Sequence, residues 1–262
     1  METVRLKPYL RIEHIVSLLL LLCLLTARGQ SDAEEIYNRA TNQLLSQDLE
    51  LSIEIKEINK NGRIKENAFN VLIAKFGQVE KTLNIVQKPE RARGITILLT
   101  DYPDRLGQIE IFTPANGKVR KLKATQKNMA MIGAGLSISN YASRKQNVSF
   151  SLLGKETRNG RSHFKILIED SSDPYTDTAV FFIEEGTYRI VEIAYLGENG
   201  KRKSINKFSD FISLDEPQGK IQARHISYQD FESKKKSEIR ILKIRSRPDL
   251  KEEDFDIQQM AN

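Results

Sequence analysis

Apolar and polar residues alternate along most of the chain. The pattern begins with Leu49, Leu51 and Ile53, and it returns in residues 164–168 and 190–196. A period of two is typical of a half-buried β-strand, because successive side chains point to opposite faces of a sheet. About ten such segments follow one another at near-regular spacing without long helices between them, which predicts antiparallel strand pairing.

Tight turns separate the predicted strands. Asn61-Gly62, Asn159-Gly160 and Asn199-Gly200 are hairpin signals, because Asn and Gly both tolerate the positive φ of a type I′ turn. Each strand has one apolar face, so we expect a core on one side of the sheet only. A sheet this wide must curl. The pattern therefore predicts a mainly β fold, with one large, curved antiparallel sheet that forms an unclosed, or half, β-barrel.

Two segments could cover the hollow of such a sheet. The spacing of apolar residues in residues 31–45 predicts one N-terminal amphipathic helix, with Ser31 or Asp32 as its cap. The second segment, from Asn128 to Ala142, contains no charged residue, so it is expected to be buried or to cover apolar surface. The predicted apolar stripe of the helix consists of Ile36, Ala40, Leu44 and Leu45.

The uncharged segment has two interpretations. It could be a permanent plug of the core, or a helical or loop lid whose side chains line a lipid cavity. Methionine suits the second role because its flexible side chain adapts to irregular acyl chains. With the strand before it, the segment gives the predicted lipid-binding residues, which are Met129, Met131, Ile132, Leu136, Ile138, Tyr141, Phe112 and Ile111.

The first 29 residues resemble an export signal. Arg5, Lys7 and Arg11 precede an apolar run over residues 15–25, which is about half the length that a bilayer span requires. We expect cleavage ahead of Gln30, which leaves residues 30–262 as a single domain; a retained anchor is the alternative. The net charge of +6 would then become +4, because the signal carries four basic and two acidic residues. That balance does not indicate a nucleic-acid partner.

Little in the sequence indicates catalysis. The single cysteine, Cys23, lies inside the predicted signal, so the exported chain would have no disulfide, thiol nucleophile or cysteine-based zinc site. His163 and His225 lie in predicted strands, without a nucleophile motif or a metal-ligand spacing around them. We therefore expect neither an enzyme nor a cofactor.

The most basic stretch begins at Lys234-Lys235-Lys236 and continues with Arg240, Lys243, Arg245 and Arg247. It could attract anionic lipid headgroups or an acidic partner. The plainer interpretation, which we favour, is a solvated hairpin and an edge strand that its charge protects from pairing.

Five short motifs follow one another in the second and third quarters of the chain. They are Phe112-Thr113-Pro114, Val119-Arg120-Lys121-Leu122, Met131-Ile132-Gly133-Ala134, Leu152-Leu153-Gly154-Lys155-Glu156 and Asn159-Gly160-Arg161. Their order and spacing resemble those of the outer-membrane lipoprotein-sorting (LolA-like) proteins. The resemblance covers about residues 31–244, although the acidic residues that usually follow the loop glycine, and a Trp before the first motif, are absent.

The resemblance implies an incomplete β-barrel with helices across its open mouth. It further implies a periplasmic carrier of a Gram-negative-type bacterium, which binds lipoprotein acyl chains or phospholipid and passes them towards the outer membrane. An inner-membrane transporter and an outer-membrane acceptor would be its partners. The alternative is a non-catalytic periplasmic domain of the same fold that senses lipid or binds a protein partner.

Overall fold

The computed structural model of the protein describes residues 32–44, 48–124, 148–170, 178–197, 199–214 and 219–257. Residues 32–42 form an α-helix, α1. Within the described ranges, no helix is both long enough and apolar enough to cross a membrane. The strands are β1 Leu49–Ile58, β2 Ile64–Phe76, β3 Val79–Lys88, β4 Thr96–Asp101, β5 Gln108–Thr113, β6 Lys118–Lys123, β7 Val148–Arg158, β8 Arg161–Asp170, β9 Thr178–Glu184, β10 Ile190–Leu196, β11 Arg202–Ser213, β12 Ile221–Asp230 and β13 Lys236–Ser246, with short 3-10 helices at Glu90–Ala92 and Glu252–Phe255.

These thirteen strands form one antiparallel sheet in the order β6-β5-β4-β3-β2-β1-β13-β12-β11-β10-β9-β8-β7. Two meanders, β1–β6 and β7–β13, are joined by the pairing of β1 with β13, in which Leu49 lies opposite Ser246. The sheet is not closed, because β6 and β7 lie at its two edges. The predicted mainly β, half-barrel architecture is confirmed, with thirteen strands in place of about ten.

The antiparallel order places connections at two ends of the sheet. The turns β1–β2, β3–β4, β5–β6, β10–β11 and β12–β13 lie at one end, which we call the upper end. β6 finishes at the opposite, lower end, where the Ala124 N–H donates to the Gly107 carbonyl oxygen (N···O 2.8 Å). β7 begins at the upper end, at the other edge of the sheet.

Helix α1 covers one face of the sheet, which we call the helix face. Its residues Ala33, Tyr37 and Ala40 are at most 2% exposed and follow the four- and three-residue spacing of one helical stripe. The Tyr37 ring lies 5.1 Å from the ring of Phe150 and 5.4 Å from that of Phe181, the latter in an edge-to-face arrangement. Burial, and then the nearby Tyr195, raise the pKa of Tyr37 to about 12. The predicted helix is confirmed, but its most buried residues include Ala33 and Tyr37 rather than the predicted Leu44.

The opposite face, the far face, also carries a core. Ala74, Leu83 and Leu98 form a buried cluster there with Phe255 and Ile257, two residues that follow the last strand. Phe255 packs edge-to-face on Phe76, with ring centroids 5.6 Å apart. The expectation of a core on one side only is therefore wrong, because strands β2–β4 bear apolar side chains on both faces.

A third apolar cluster lies on the far face of β8–β10. Val180, Phe182 and Ala194 are at most 8% exposed. The Arg158 guanidinium lies 3.6 Å from the centroid of the Phe182 ring and also pairs with the Glu192 carboxylate (N···O 3.0 Å). Charged side chains thus cover this cluster, since their aliphatic stems can lie on apolar surface while their charges remain in water.

Candidate functional site

The helix face extends beyond helix α1 as an apolar strip on strands β3–β6. Strand register brings its members together: Leu99 pairs with Ile109, which pairs with Leu122, and Ile97 pairs with Ile111. Ile109 is fully buried and Val86 is 7% exposed, whereas the other members are half-buried. We define the apolar strip as Val86, Ile97, Leu99, Ile109, Ile111 and Leu122.

Register also shows that the strip lies on the helix face. Val71 and Ile73 of β2 pack in the helix cluster, and they pair with Asn84 and Thr82 of β3. Asn84 and Thr82 pair in turn with strip residues Ile97 and Leu99. Among the described residues, the helix cluster includes none from β3–β6. The strip therefore continues the apolar surface past the part that α1 covers.

One polar side chain interrupts this surface. Asn84 lies between Val71 and Ile97 in the register, and its Oδ1 atom is buried without a hydrogen-bond partner in the described part of the chain. A buried amide oxygen is a strong acceptor, and leaving it unpaired is costly. A bound molecule with a hydroxyl or amide N–H beside its apolar portion would satisfy this atom.

The structure separates the two predicted site residues of β5. Ile111 belongs to the apolar strip, whereas Phe112 lies in the far-face cluster with Leu98 and Phe255. The separation follows from the strand itself, in which adjacent side chains point to opposite faces. Lipid contact by either residue stays a prediction. The other predicted site residues, Met129, Met131, Ile132, Leu136, Ile138 and Tyr141, lie outside the described residues.

A polar row that sequence reasoning missed crosses strands β11–β13 on the far face. Ser209 Oγ lies 3.2 Å from His225 Nδ1, and His225 Nε2 lies 2.5 Å from Glu238 Oε2. The three residues are far apart in sequence and meet only through strand pairing, so no local motif could have indicated them. The His225 and Glu238 side chains remain 36% and 40% exposed, and Ser209 is exposed as well.

Such an open row gives no support to hydrolysis, because acyl-transfer sites exclude water and hold preorganised donors for an oxyanion. His163 is buried, with Nδ1 3.0 Å from the Arg161 carbonyl oxygen. No group of three His, Cys, Asp or Glu residues in the described ranges could hold a metal ion. The expectation that the protein is not an enzyme stays a prediction.

An unclosed antiparallel sheet with a helix on one face defines the LolA-like class of fold, and three solved structures share it. A domain from Vibrio parahaemolyticus assigned to outer membrane lipoprotein sorting is 16% identical, with a TM-score of 0.72 over 89% of this chain and 100% of that one. A DUF1329 family protein from Desulfovibrio piger is 15% identical, with a TM-score of 0.76 over 88% and 99%. A LolA superfamily protein from Nitrosomonas europaea is 15% identical, with a TM-score of 0.65 over 87% and 98%.

The motif-based resemblance is thus confirmed as a likeness of fold. A family profile described as "Uncharacterized protein" matches residues 78–262, which is more than half of the chain. The chain belongs to this family. No curated protein matches the sequence significantly.

Proposed function

We propose that the protein carries acyl chains, those of lipidated proteins or of a related lipid, in the hollow bounded by the helix face of the sheet. The observation that supports this most directly is the apolar strip. Ile97, Ile109 and Ile111 extend the apolar surface beyond α1, and Asn84 adds one acceptor that has no hydrogen-bond partner among the described residues. The likeness of fold to a domain assigned to lipoprotein sorting supports the same proposal.

The lid in this proposal is the uncharged segment with Met129 and Met131. The described residues nearest to it, Ala124 and Val148, belong to opposite ends and opposite edges of the sheet. Met129, Met131, Ile132, Leu136, Ile138 and Tyr141 would then contact the cargo together with Ile111.

The mechanism is passive. Each methylene that leaves water contributes about 0.8 kcal/mol, so a single acyl chain would supply enough free energy for capture. Release to an acceptor requires that binding is not too tight, and a movable lid provides that adjustment. We infer export from the predicted signal, and we place the transfer in the periplasm, between an inner-membrane transporter and an outer-membrane acceptor, on the basis of the resemblance to lipoprotein-sorting proteins.

Native mass spectrometry of the exported chain, followed by lipid extraction, tests the proposal. We expect co-purified lipid, and displacement of a fluorescent fatty-acid probe by lipoprotein or phospholipid. Ile111→Asn should weaken probe binding about tenfold or more, because an unpaired polar group in an apolar site costs about 1–3 kcal/mol. Leu242→Asn is the matched control, since Leu242 is 60% exposed on β13.

Met131→Asp distinguishes the lid from the plug. Weaker probe binding with unchanged urea unfolding supports a lid, whereas loss of the folded state supports a plug and contradicts the carrier. A lipid-free protein in a stable complex with another protein would favour a partner-binding domain of the same fold. Equal loss of binding in Ile111→Asn and Leu242→Asn would also contradict the proposal.

A further inference from the structure

Two hairpin turns lie side by side at the upper end of the sheet. Residues 59–64 include the β1–β2 turn, and residues 231–236 include the β12–β13 turn. They are neighbours because Ile58 pairs with Ile64 in β2 and with Lys236 in β13. Paired strands lie about 4.8 Å apart, so the two turns form one continuous surface, which we call the twin tip.

The twin tip exposes two large apolar side chains. Ile64 is 52% exposed and Phe231 is 42% exposed. Only three other large hydrophobic side chains of the described residues are as open, and they are spread over β13, β7 and the β4–β5 connection. A single exposed apolar residue needs no explanation, but these two lie on adjacent turns at the same end of the sheet.

The twin tip is also rich in basic residues. The twin tip contains five basic residues and one acidic residue, Glu232. The basic residues are all exposed, and within the described part of the chain none is in an ion pair; they are Lys60, Arg63, Lys234, Lys235 and Lys236.

The rest of the basic stretch behaves differently. Arg245 and Arg247 both pair with the Glu50 carboxylate, and Arg247 also pairs with Asp249. β13 lies between β1 and β12, so the edge-strand part of the interpretation of this stretch as a solvated hairpin and an edge strand is wrong. Lys234, Lys235 and Lys236 do lie at an exposed hairpin turn, and the structure shows no ion pair between them and other described residues.

Both turns are held rigidly by the side chain at their start. Asn59 Oδ1 accepts hydrogen bonds from the N–H groups of Asn61 (3.0 Å) and Arg63 (2.9 Å). Asp230 Oδ1 accepts one from the Ser233 N–H (2.7 Å). Burial would raise the pKa of Asp230, but the hydrogen bonds, those from Ser233 foremost, keep it below the usual value. A preorganised turn presents its side chains without a large loss of entropy on binding.

We propose that the twin tip docks the protein on an anionic lipid bilayer. Ile64 and Phe231 would enter the interface between headgroups and acyl chains, while the five cations bind the headgroup phosphates. Exposed apolar side chains together with exposed cations favour a bilayer over an acidic protein, which would need pockets for both apolar side chains. This surface is distinct from the apolar strip, so it does not depend on the proposed acyl-chain cargo.

Vesicle co-sedimentation of the chain, as recovered after export from a bacterial host, tests the proposal. We expect binding to vesicles in which phosphatidylglycerol makes up about a third of the phosphatidylcholine mixture, and much weaker binding to pure phosphatidylcholine. Binding to the anionic vesicles should fall as salt rises from 50 to 500 mM, because salt screens exposed charges. Binding that ignores both lipid charge and salt would overturn the proposal.

Charge reversal locates the binding surface. Lys234→Glu/Lys235→Glu/Lys236→Glu should weaken binding roughly hundredfold, since each cation near an anionic membrane contributes about 1 kcal/mol. The control variant, Lys75→Glu/Lys207→Glu/Lys243→Glu, makes the same change in net charge at exposed lysines outside the tip. Equal losses in the two variants would mean that only net charge matters, and would overturn the assignment to the tip.

The apolar pair has its own control. Ile64→Ser/Phe231→Ser should reduce binding about tenfold, whereas Leu106→Ser/Leu242→Ser, which removes two comparably exposed leucines elsewhere, should not. Capture of an acidic protein by the twin tip without vesicle binding would overturn the bilayer as partner. Vesicle binding by a protein free of acyl cargo would retain the docking surface and remove the carrier function.

Discussion

The two covers of the sheet differ in kind. Helix α1 covers the helix face with a regular stripe in which Ala33, Tyr37 and Ala40 are all buried. The C-terminal segment covers the far face without any regular period, through Phe255 and Ile257. The helix is amphipathic in itself, whereas the C-terminal segment gains its structure from the surface that it covers.

Ion pairs and hydrogen bonds hold the C-terminal segment in place. Lys81 pairs with Glu252 (2.7 Å), and Arg247 links Asp249 to Glu50 of β1. The Asp254 carboxylate accepts a hydrogen bond from the Lys251 N–H (2.7 Å) at the start of the short 3-10 helix. The comparison shows that an irregular segment can bury large apolar side chains when polar contacts fix its path.

The largest effect should come from emptying the far-face cluster. Phe255→Ala/Ile257→Ala should lower the free energy of unfolding by about 5–8 kcal/mol, because both side chains are fully buried. Urea unfolding measures the change. Glu253→Ala, an exposed position in the same segment, is the control and should stay within about 0.5 kcal/mol. Similar losses in both variants would show that the segment is not a core cover.

A smaller effect is expected on the helix face. Tyr37→Ala should lower the free energy of unfolding by about 3–5 kcal/mol, since it removes the ring that packs on Phe150 and Phe181. Tyr37→Phe keeps the ring and should cost much less. If Tyr37→Phe were as damaging as Tyr37→Ala in urea unfolding, the hydroxyl group, and not ring packing, would hold the helix.

The smallest expected effect is on the pH dependence of the free energy of unfolding. Hydrogen bonds from Arg245, and then Arg247, hold the pKa of Glu50 below its usual value. The carboxylate therefore stabilises the fold above its unfolded pKa of about 4.3, and this contribution is lost as the pH falls through the lower folded pKa. The difference in urea midpoint between the wild type and Glu50→Gln should thus shrink from pH 7 to pH 3. A constant difference would show that this ion pair does not link β1 to the C-terminal segment.

The local structure was largely predictable from the sequence. Gly62 and Gly200 adopt φ of 75° and 70°, and Asn159 adopts φ of 50°, as their hairpin turns require. The alternation in β1 likewise reflects one buried face of that strand. These features depend on neighbours in the chain, and so a pattern of a few residues carries them.

The second core was not predictable in the same way. Phe255 and Ile257 follow Pro248 in an acidic segment without the period of a helix or a strand, so no pattern indicates burial. The apolar strip was foreseen only at Ile111, because the register of β3–β6 decides which apolar residues share a face. Ser209 and His225 became neighbours for the same reason. The pairing between strands, more than the secondary-structure propensity of individual residues, determines which side chains form the apolar strip and the polar row.

The twin tip, too, could not be predicted from local sequence patterns. Lys234-Lys235-Lys236 is evident in the sequence as a basic run, but its nearness to Arg63 and Ile64 arises from the β1–β13 pairing. Arg245 lies at the lower end of the same strand, where it pairs with Glu50, and so it is separated from these lysines by the length of β13.

The join between β1 and β13 has a consequence for the order of assembly. Within each meander, every strand pairs with the strand that follows it in the chain. Each meander can therefore form one hairpin at a time during synthesis. The two meanders cannot pair before β13 is synthesised, since the partner of Leu49 in β1 is Ser246 in β13. Until then the flank of β1 is an unprotected edge, open to aggregation or to a chaperone. β13 is thus the strand whose pairing with β1 joins the two meanders into one sheet.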